Sequence, residues 1–243
     1  MKRLLFFMAV LSLPTTLFAQ DWKPQSTEWY NPVPPKIVPG EKPGQAPSDA
    51  IILFDGTDLS KWASEKGGDA PWKVQNGEFA IAPGTGSIVT KEYFGDCQLH
   101  VEFKSPAPEN HRGQNRGNSG IFLQSIYEVQ VLDADNNTTY VNGMVGSIYK
   151  QQAPLADAYT KNGEWQVYDI YWKAPRFGTS GKLEAPAMIT VVLNGILVQN
   201  NYILNGDTPY TGLPAYKAHG RLPIMLQDHG TKVAFRNIWI RNL

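Results

Sequence analysis

The stretch 117–133, GNSGIFLQSIYEVQVLD, places the strongest constraint on what this chain can fold into. It contains two short runs, Ser119–Gln124 and Tyr127–Leu132, separated by a two-residue connection. Side chains alternate in the second run, so Glu128 and Gln130 point to the same face. This pattern predicts a β-hairpin with one apolar and one polar side. The polar side is either an ordinary solvated face or a working surface, and alternation alone leaves both open.

Two Asn-Gly pairs, Asn76-Gly77 and Asn194-Gly195, each separate two further apolar runs. Because Asn-Gly favours the tight turn of a hairpin, both pairs predict hairpins. No segment of a dozen residues has a 3.6-residue apolar period, and glycine and proline interrupt the chain throughout. Many short strands at this spacing predict an all-β sandwich or jelly roll and argue against a βαβ fold. The other predicted strands are Ile51–Phe54, Trp72–Val74, Glu78–Ile81, Gln98–Lys104, Met144–Tyr149, Glu164–Trp172, Ala187–Leu193, Ile196–Val198, Leu222–Gln227 and Val233–Ile240.

The N-terminus has the features of a secretory signal peptide. Lys2 and Arg3 give it a basic start, Leu4–Val10 is an apolar core, and a small residue, Ala19, ends it. The apolar run is too short to span a membrane. We therefore expect a signal peptide at 1–19, cleavage near Ala19, and a periplasmic or secreted protein with no membrane span.

Residues 20–48 are rich in proline and poor in periodic apolar residues, which predicts an extended arm before a globular domain at 49–243. The arm is either a spacer or a segment that lies along the domain, and the sequence leaves both open. Without the two basic residues of the leader, 20 basic and 22 acidic residues give a formal charge of −2. This balance argues against a nucleic-acid partner. The sequence does not specify an oligomeric state.

Polar side chains recur on one face of several predicted strands. If those strands are neighbours, carboxylates, amides and an imidazole gather on one concave surface. Such a surface suits a carbohydrate, whose hydroxyls need donors and acceptors and whose rings stack on aromatic side chains such as Tyr149. The residues in question are His100, Glu102, Lys104, Asn118, Gln124, Glu128, Gln130, Gln227, Asp228 and His229.

Between Ala50 and the C-terminus the chain contains seven motifs, in this order: LFDGTDLSKW, NSGIFL, YEVQVLD, GEW, LNG, LQDHG and FRNI. In sequence and spacing they resemble the 3-keto-disaccharide hydrolase domain family, whose members are often described as candidate glycosyl hydrolases. The resemblance implies a concanavalin A-like jelly roll of two antiparallel sheets. It also implies an exported hydrolase of sugars whose 3-hydroxyl is oxidised to a ketone. Gln124 and Gln166 depart from the Arg and Asn that are frequent in the family, which bears on substrate preference.

The resemblance implies a chemistry that fits these residues. A ketone at C3 acidifies the C2 proton, so a base can remove it, the C1 leaving group can depart, and water can then add. Glu128 is the first candidate for the base, and His229 is the alternative base or acid. Lys104, Gln130 or a divalent cation would stabilise the enolate oxygen. The substrate-binding candidates are Lys104, Asn118, Gln124, Gln130, Tyr149, Gln227 and Asp228.

Two other functions remain open at this point. A conventional glycosidase would use two facing carboxylates, for which Glu102 and Glu128 are the candidates. A sandwich of this kind can also be a non-catalytic carbohydrate-binding module. Asp133 and Asp135 are candidate ligands for a divalent cation, although their segment lacks the closing glutamate of an EF-hand and Asx-rich turns are commoner than metal sites.

Overall fold

The structure, a computed structural model, describes residues 22–108 and 111–243. The signal peptide expected at 1–19 lies outside the described residues. The described residues divide into two compact units, of which the first ends at Lys36 and the second begins at Ile37. The described part of the first unit contains a short 3₁₀ turn at Pro24–Thr27. Within the described ranges, no helix has the length and apolar character needed to cross a membrane.

Fifteen β-strands lie within the described residues, all in the second unit. They are β1 Ile51–Phe54, β2 Trp62–Ser64, β3 Lys73–Gln75, β4 Glu78–Ala80, β5 Ile88–Thr90, β6 Cys97–Lys104, β7 Ser119–Leu123, β8 Tyr127–Val131, β9 Gln166–Lys173, β10 Arg176–Phe177, β11 Leu183–Ala185, β12 Met188–Leu193, β13 Ile196–Ile203, β14 Met225–Leu226 and β15 Ala234–Asn242. Short 3₁₀ turns also occur at Gly113–Asn115 and Val141–Gly143.

The strands form two antiparallel layers. The large sheet has the order β13-β12-β9-β6-β15-β4-β3, and β1 also pairs with β15. The small sheet has the order β2-β5-β14-β7-β8. β10 and β11 form a separate two-stranded ribbon. This arrangement confirms the predicted concanavalin A-like jelly roll.

The core lies between the two sheets. On β6 the buried apolar side chains are Leu99, Val101 and Phe103, and on β8 they include Tyr127 and Val129. The alternation of each strand therefore directs one face into a shared core and the other face away from it. Each fully buried side chain of this size contributes about 1.5–3 kcal/mol to stability.

Direct contacts also join the two layers. The rings of Tyr127 on β8 and Trp172 on β9 lie 5.0 Å apart. The Tyr168 hydroxyl of β9 donates a hydrogen bond of 2.7 Å to the carbonyl of Gln130 on β8. β8 is thus held against the large sheet at two points along its length.

Three predicted hairpins are confirmed. β3 and β4 turn through Asn76 and Gly77, and β12 and β13 turn through Asn194 and Gly195, with positive φ at all four residues. That backbone conformation is the one that Asn-Gly sequences favour.

The central hairpin of β7 and β8 turns through Gln124 and Ser125, which also have positive φ. Their side chains hold the turn from outside. Gln124 Nε2 donates to the carbonyls of Phe94 and Gly220, each at 3.2 Å, and Ser125 Oγ donates to the carbonyl of Pro223 at 2.9 Å. Hydrogen bonds donated by these side chains to neighbouring loops therefore offset the strain of two non-glycine residues in the left-handed region.

The strand predicted at Met144–Tyr149 is wrong. This segment begins after a 3₁₀ turn, and Gly146 adopts a left-handed conformation with φ +80° that breaks the extended run. Its backbone nevertheless follows the free edge of β8, because the Gln130 amide donates to the Ser147 carbonyl and the Tyr149 amide donates to the Glu128 carbonyl. The edge of β8 is therefore covered by a loop.

The last part of the proline-rich region, 37–48, belongs to the second unit and lies along it. The Gly44 carbonyl accepts hydrogen bonds of 2.9 Å from Asn237 Nδ2 and Trp239 Nε1 of β15. Val38 and Ser48 close the base of this segment through two hydrogen bonds. For these residues the structure selects the second of the two alternatives, a segment packed on the domain.

Candidate active site

A cavity of about 300 Å³ opens on the outer face of the small sheet, away from the core. Two strands and four connecting segments contribute side chains to it. The lining residues are Asn118, Phe122, Glu128, Gln130, Tyr149, Thr208, Tyr210, Gln227 and His229. Its floor is the polar face of the β7–β8 hairpin.

The register of that hairpin places Gly120 opposite Gln130 and Phe122 opposite Glu128. A Cβ atom at Gly120 would overlap Glu128 Oε1 and would lie 2.6 Å from the Phe122 ring. Glycine at this position therefore makes the space that the carboxylate occupies.

Glu128 is only 5% exposed, and within the described residues no side chain or backbone group donates a hydrogen bond to its carboxylate. Burial raises the pKa of Glu128 to about 8. A buried carboxyl without partners is disfavoured as an anion, so it becomes a stronger base when it does ionise. This combination is typical of a functional acid or base.

The amides beside Glu128 form a chain that ends in unused acceptors. Gln130 Nε2 donates to Asn118 Oδ1 at 3.0 Å, and Asn118 Nδ2 donates to the Gln114 carbonyl at 2.7 Å. Among the described residues, the buried Oε1 atoms of Gln130 and Gln227 have no hydrogen-bond partner. Because an unsatisfied buried acceptor costs about 1–3 kcal/mol, both atoms are suited to receive hydroxyl donors of a ligand.

Asp228 fixes the loop that brings Gln227 and His229 to the cavity. Its carboxylate accepts hydrogen bonds from the backbone amides of Gly84, Gly86 and Gly230 at 2.7, 3.1 and 2.9 Å. Asp228 itself does not line the cavity. The exposed imidazole of His229 does, and it faces the same space as Glu128.

Tyr149 and Tyr210 both line the cavity, and Tyr149 is buried whereas Tyr210 is exposed. The Tyr149 hydroxyl lies 2.9 Å from the hydroxyl of Tyr140. Burial, together with this hydrogen bond, raises the pKa of Tyr149 above its usual value. Tyr149 is therefore a neutral hydroxyl, able to donate or accept a hydrogen bond near Glu128.

The prediction that all the polar strand faces are adjacent is wrong. Glu102 and Lys104 lie on β6 of the large sheet, whereas Glu128 lies on β8 of the small sheet, and the core separates the two. Strand alternation shows which residues share a face of one strand but carries no information on which sheet the strand joins. Neither Glu102 nor Lys104 lines the cavity.

Glu102 and Lys104 have partners on their own face. Glu102 Oε2 accepts a hydrogen bond of 2.6 Å from Arg236 Nε, and Glu102 Oε1 accepts one of 2.8 Å from Asn237. Burial alone would raise the pKa of Glu102, but the hydrogen bonds from His100, Asn237 and Arg236 lower it to about 2. Lys104 Nζ donates to both carboxylate oxygens of Glu78, at 2.8 and 3.1 Å.

His100, the third polar residue on that face of β6, is buried there. His100 Nδ1 lies 2.7 Å from Asp169 Oδ1, and the imidazole stacks on the Trp239 ring with the ring centroids 5.1 Å apart. His100 is thus part of the network beneath the 37–48 segment and does not line the cavity.

The family of the chain follows from comparison with known proteins. A family model described as a 3-keto-alpha-glucoside-1,2-lyase-like domain matches residues 49–241. The chain belongs to this family. Among solved structures, a candidate glycosyl hydrolase from Parabacteroides distasonis is 50% identical, with a TM-score of 0.86 over 91% of this chain and 97% of that one. No curated protein matches the sequence.

A second candidate glycosyl hydrolase from the same organism is 22% identical and has a TM-score of 0.62 over 80% of this chain and 94% of that one. A third is 23% identical, with a TM-score of 0.57 over 80% and 99% of the two chains. At this level of identity the likeness concerns the fold alone.

In this 3-keto-alpha-glucoside-1,2-lyase-like domain, the acidic loop at Asp133 and Asp135 is occupied by protein donors. Asp133 Oδ2 accepts hydrogen bonds from Arg116 Nε at 2.7 Å and Asn162 Nδ2 at 2.5 Å, and Asp133 Oδ1 accepts one from the Asp135 amide. Asp135 Oδ1 accepts from Asn136. Within residues 22–108 and 111–243, no group of three or more His, Cys, Asp or Glu side chains could hold a metal ion.

Sequence analysis did not identify three of the residues that line the cavity, namely Phe122, Thr208 and Tyr210. Phe122 could have been found, because it alternates with Ile121 and lies opposite Glu128 in the hairpin register. Thr208 and Tyr210 come from a connecting segment without any periodic pattern. Thr208 nonetheless holds β8 in place, since its hydroxyl accepts from the Glu128 amide at 3.0 Å and donates to the Ile126 carbonyl at 3.1 Å.

Proposed function

We propose that this protein is an exported enzyme that cleaves the glycosidic bond of 3-keto-glucosides by elimination across C1 and C2, followed by hydration. The observation that carries the proposal is the carboxyl of Glu128, buried without a hydrogen bond in a polar cavity and with its pKa raised to about 8. Membership of the 3-keto-alpha-glucoside-1,2-lyase-like family supports the substrate class. The signal-peptide pattern of the sequence supports export.

In this mechanism the Glu128 carboxylate takes the proton from C2, and the electron pair of the C–H bond becomes the enolate of the C3 ketone. The enolate then forms the C1–C2 double bond as the bond from C1 to the leaving oxygen breaks. His229, on the exposed side of the same cavity, donates a proton to that oxygen. Water adds at C1 and a proton returns to C2, which gives the free 3-keto sugar.

The raised pKa of Glu128 suits this role. A general base is most efficient when its pKa is near the working pH, and a raised pKa makes the carboxylate a stronger base towards the proton next to the ketone. The free acceptors Gln130 Oε1 and Gln227 Oε1 would receive sugar hydroxyls and thereby orient the ring. The neutral hydroxyl of Tyr149 is a further donor in reach of the cavity.

The position of Glu102 argues against a two-carboxylate glycosidase. Such enzymes hold their two carboxyl groups about 5–10 Å apart on either side of the scissile bond. Glu102 and Glu128 instead lie on different sheets with the hydrophobic core between them. Glu128 therefore has no partner carboxylate among the residues that line the cavity.

The test is incubation of the protein with matched p-nitrophenyl glucosides, one oxidised to the 3-ketone and one unmodified, with and without a chelator. We expect release of nitrophenol from the 3-keto substrate alone. The variant Glu128→Gln should abolish turnover, whereas Glu102→Gln, a carboxyl on the other sheet, should keep it. Cleavage of the unmodified glucoside would support a conventional glycosidase, and binding of both compounds without turnover would support a carbohydrate-binding module. The chelator arm shows whether a bound cation takes part.

A further inference from the structure

Four side chains beside the cavity form a cluster, which we call the tyrosine–lysine rim: Tyr140, Tyr149, Lys150 and Tyr210. The ammonium group of Lys150 lies 4.3 Å from the ring centroid of Tyr210, 5.7 Å from that of Tyr149 and 5.9 Å from that of Tyr140. Each separation is within the range of a cation–π interaction. Two of these residues, Tyr149 and Tyr210, also line the cavity.

The rim is held in a defined geometry by its backbone. Lys150 has φ +56°, a left-handed conformation that costs free energy in a non-glycine residue, and its amide donates to the Asn142 carbonyl at 2.7 Å. Lys150 Nζ also donates to the Tyr210 carbonyl at 2.5 Å. The strained residue therefore ties the two segments that carry the tyrosines.

A second side chain joins the same two segments. Gln151 Nε2 donates to the carbonyls of Gly206 and Asp207 at 2.9 and 2.8 Å, and Gln151 Oε1 accepts from the Asn205 amide at 2.8 Å. All the polar atoms of this amide are thus used to connect the loop that covers β8 to the segment that ends at Tyr210. The rim is consequently a pre-organised surface.

The exposed faces of the rim are available to a ligand. Tyr210 is 77% exposed and Tyr140 is 40% exposed. The ammonium group of Lys150 has three donors, of which one is used by the Tyr210 carbonyl. The rim therefore offers aromatic faces and free N–H donors side by side, a combination that suits a ring with an apolar face and hydroxyl groups.

The cavity is too small to hold both the reacting sugar and the group attached to its C1. At about 300 Å³ the cavity is at the lower limit for small-molecule sites, which span about 300–1,000 Å³. It therefore suits a single sugar ring, and the group attached to C1 must extend through the mouth. Tyr210 lines the cavity and is 77% exposed, so it lies where the cavity meets solvent.

We propose that the tyrosine–lysine rim is the subsite for the leaving group, and that it receives a second hexose by stacking on Tyr210 with Lys150 donating hydrogen bonds to its hydroxyls. This inference rests on the proposed function, since it assigns the part of the substrate that departs. It makes the enzyme selective for 3-keto-disaccharides over 3-keto-glucosides with small aglycones.

The test compares kcat/KM for a 3-keto-disaccharide with kcat/KM for methyl 3-keto-glucoside, whose leaving group is too small to reach the rim. We expect Tyr210→Ala to lower the ratio of the two values about 10-fold, because it removes the stacking surface. Tyr210→Phe keeps the ring and should keep the ratio. Lys150→Met should lower the ratio as well, through loss of the donors. The exposure of Tyr210 makes it unsuited to a role in the core, so the Tyr210 variants should remain folded.

The outcomes separate the two proposals. An unchanged ratio in Tyr210→Ala, or an equal loss on both substrates, would overturn the leaving-group subsite while the enzyme remained a 3-keto-glucoside-cleaving enzyme. Absence of turnover of both substrates by the wild-type protein would overturn the proposed function, and the subsite with it. A 3-keto p-nitrophenyl glucoside as a third substrate shows whether an aromatic ring is accepted in place of the second hexose.

Discussion

Replacement of Glu128 by Gln should stabilise the protein, by an amount that grows with pH. Burial raises the pKa of Glu128 in the folded state from 4.5 to about 8, so the folded protein binds this proton more tightly than the unfolded chain does. At a pH below 4.5 both states are protonated and the wild type has no penalty. As the pH rises towards 8, the unfolded chain ionises first and the stability of the wild type falls. Gln has the same shape and no proton to lose.

The magnitude follows from the two pKa values. Each tenfold difference in proton affinity is about 1.4 kcal/mol, so the full penalty above pH 8 is about 5 kcal/mol. At about pH 7 the wild type has already lost about 3 kcal/mol of this amount. Glu128→Gln should therefore have nearly the wild-type free energy of unfolding at about pH 4, and exceed it by about 3 kcal/mol at about pH 7.

Urea unfolding followed by tryptophan fluorescence, at several values of pH, gives the required free energies. Glu164→Gln is the matched control, because Glu164 is an exposed carboxyl in a bend between β8 and β9, and it should change stability by less than about 0.5 kcal/mol throughout. A difference between Glu128→Gln and wild type that does not vary with pH would refute the reasoning. So would a difference that grows as the pH falls.

Three further predictions concern other parts of the molecule. Gly120→Ala should displace the Glu128 carboxylate, lowering stability by about 1–3 kcal/mol and kcat by at least about 10-fold; full activity of this variant would show that the cavity floor is not the reacting surface. In the wild type, kcat/KM should rise with pH up to about 8, as Glu128 ionises, and a profile that is flat between pH 5 and 8 would exclude Glu128 as the base. Trp239→Phe removes one donor to the Gly44 carbonyl, so proteolysis within 37–48 should become faster and stability should fall by about 1 kcal/mol; an unchanged rate of cleavage would mean that this contact does not hold the segment.

Local patterns predicted the longer strands of this protein but missed the short strands β2, β5, β10 and β11. The turns at Asn76-Gly77 and Asn194-Gly195 are determined by two residues that accept positive φ, so no distant contact is needed to specify them. The Met144–Tyr149 segment has a similar apolar content, yet Gly146 breaks it. Its path is set by hydrogen bonds to the β8 edge, which no local pattern contains.

Sequence patterns indicated residues of one cavity where the side chains share one strand or one short motif, and the roles of these residues stay predictions. Glu128, Gln130 and His229 line one cavity, although 100 residues lie between the first and the last. Glu102 alternates in the same manner as Glu128, but β6 belongs to the other sheet. Gln124 was a substrate-binding candidate on the polar surface, but it is buried at a turn. Its amide donates hydrogen bonds to two backbone carbonyls of neighbouring loops.

The loop that follows the free edge of β8 has two structural roles. An uncovered edge strand invites pairing with another chain and so promotes aggregation, and this loop prevents it by occupying the backbone groups of Glu128 and Gln130. The same loop carries Tyr149, which lines the cavity, and Lys150, which contacts the ring of Tyr210. We therefore expect natural or engineered changes of specificity to arise by substitution of side chains on the loop. Insertions or deletions that change its backbone would also break the hydrogen bonds that cover the edge of β8.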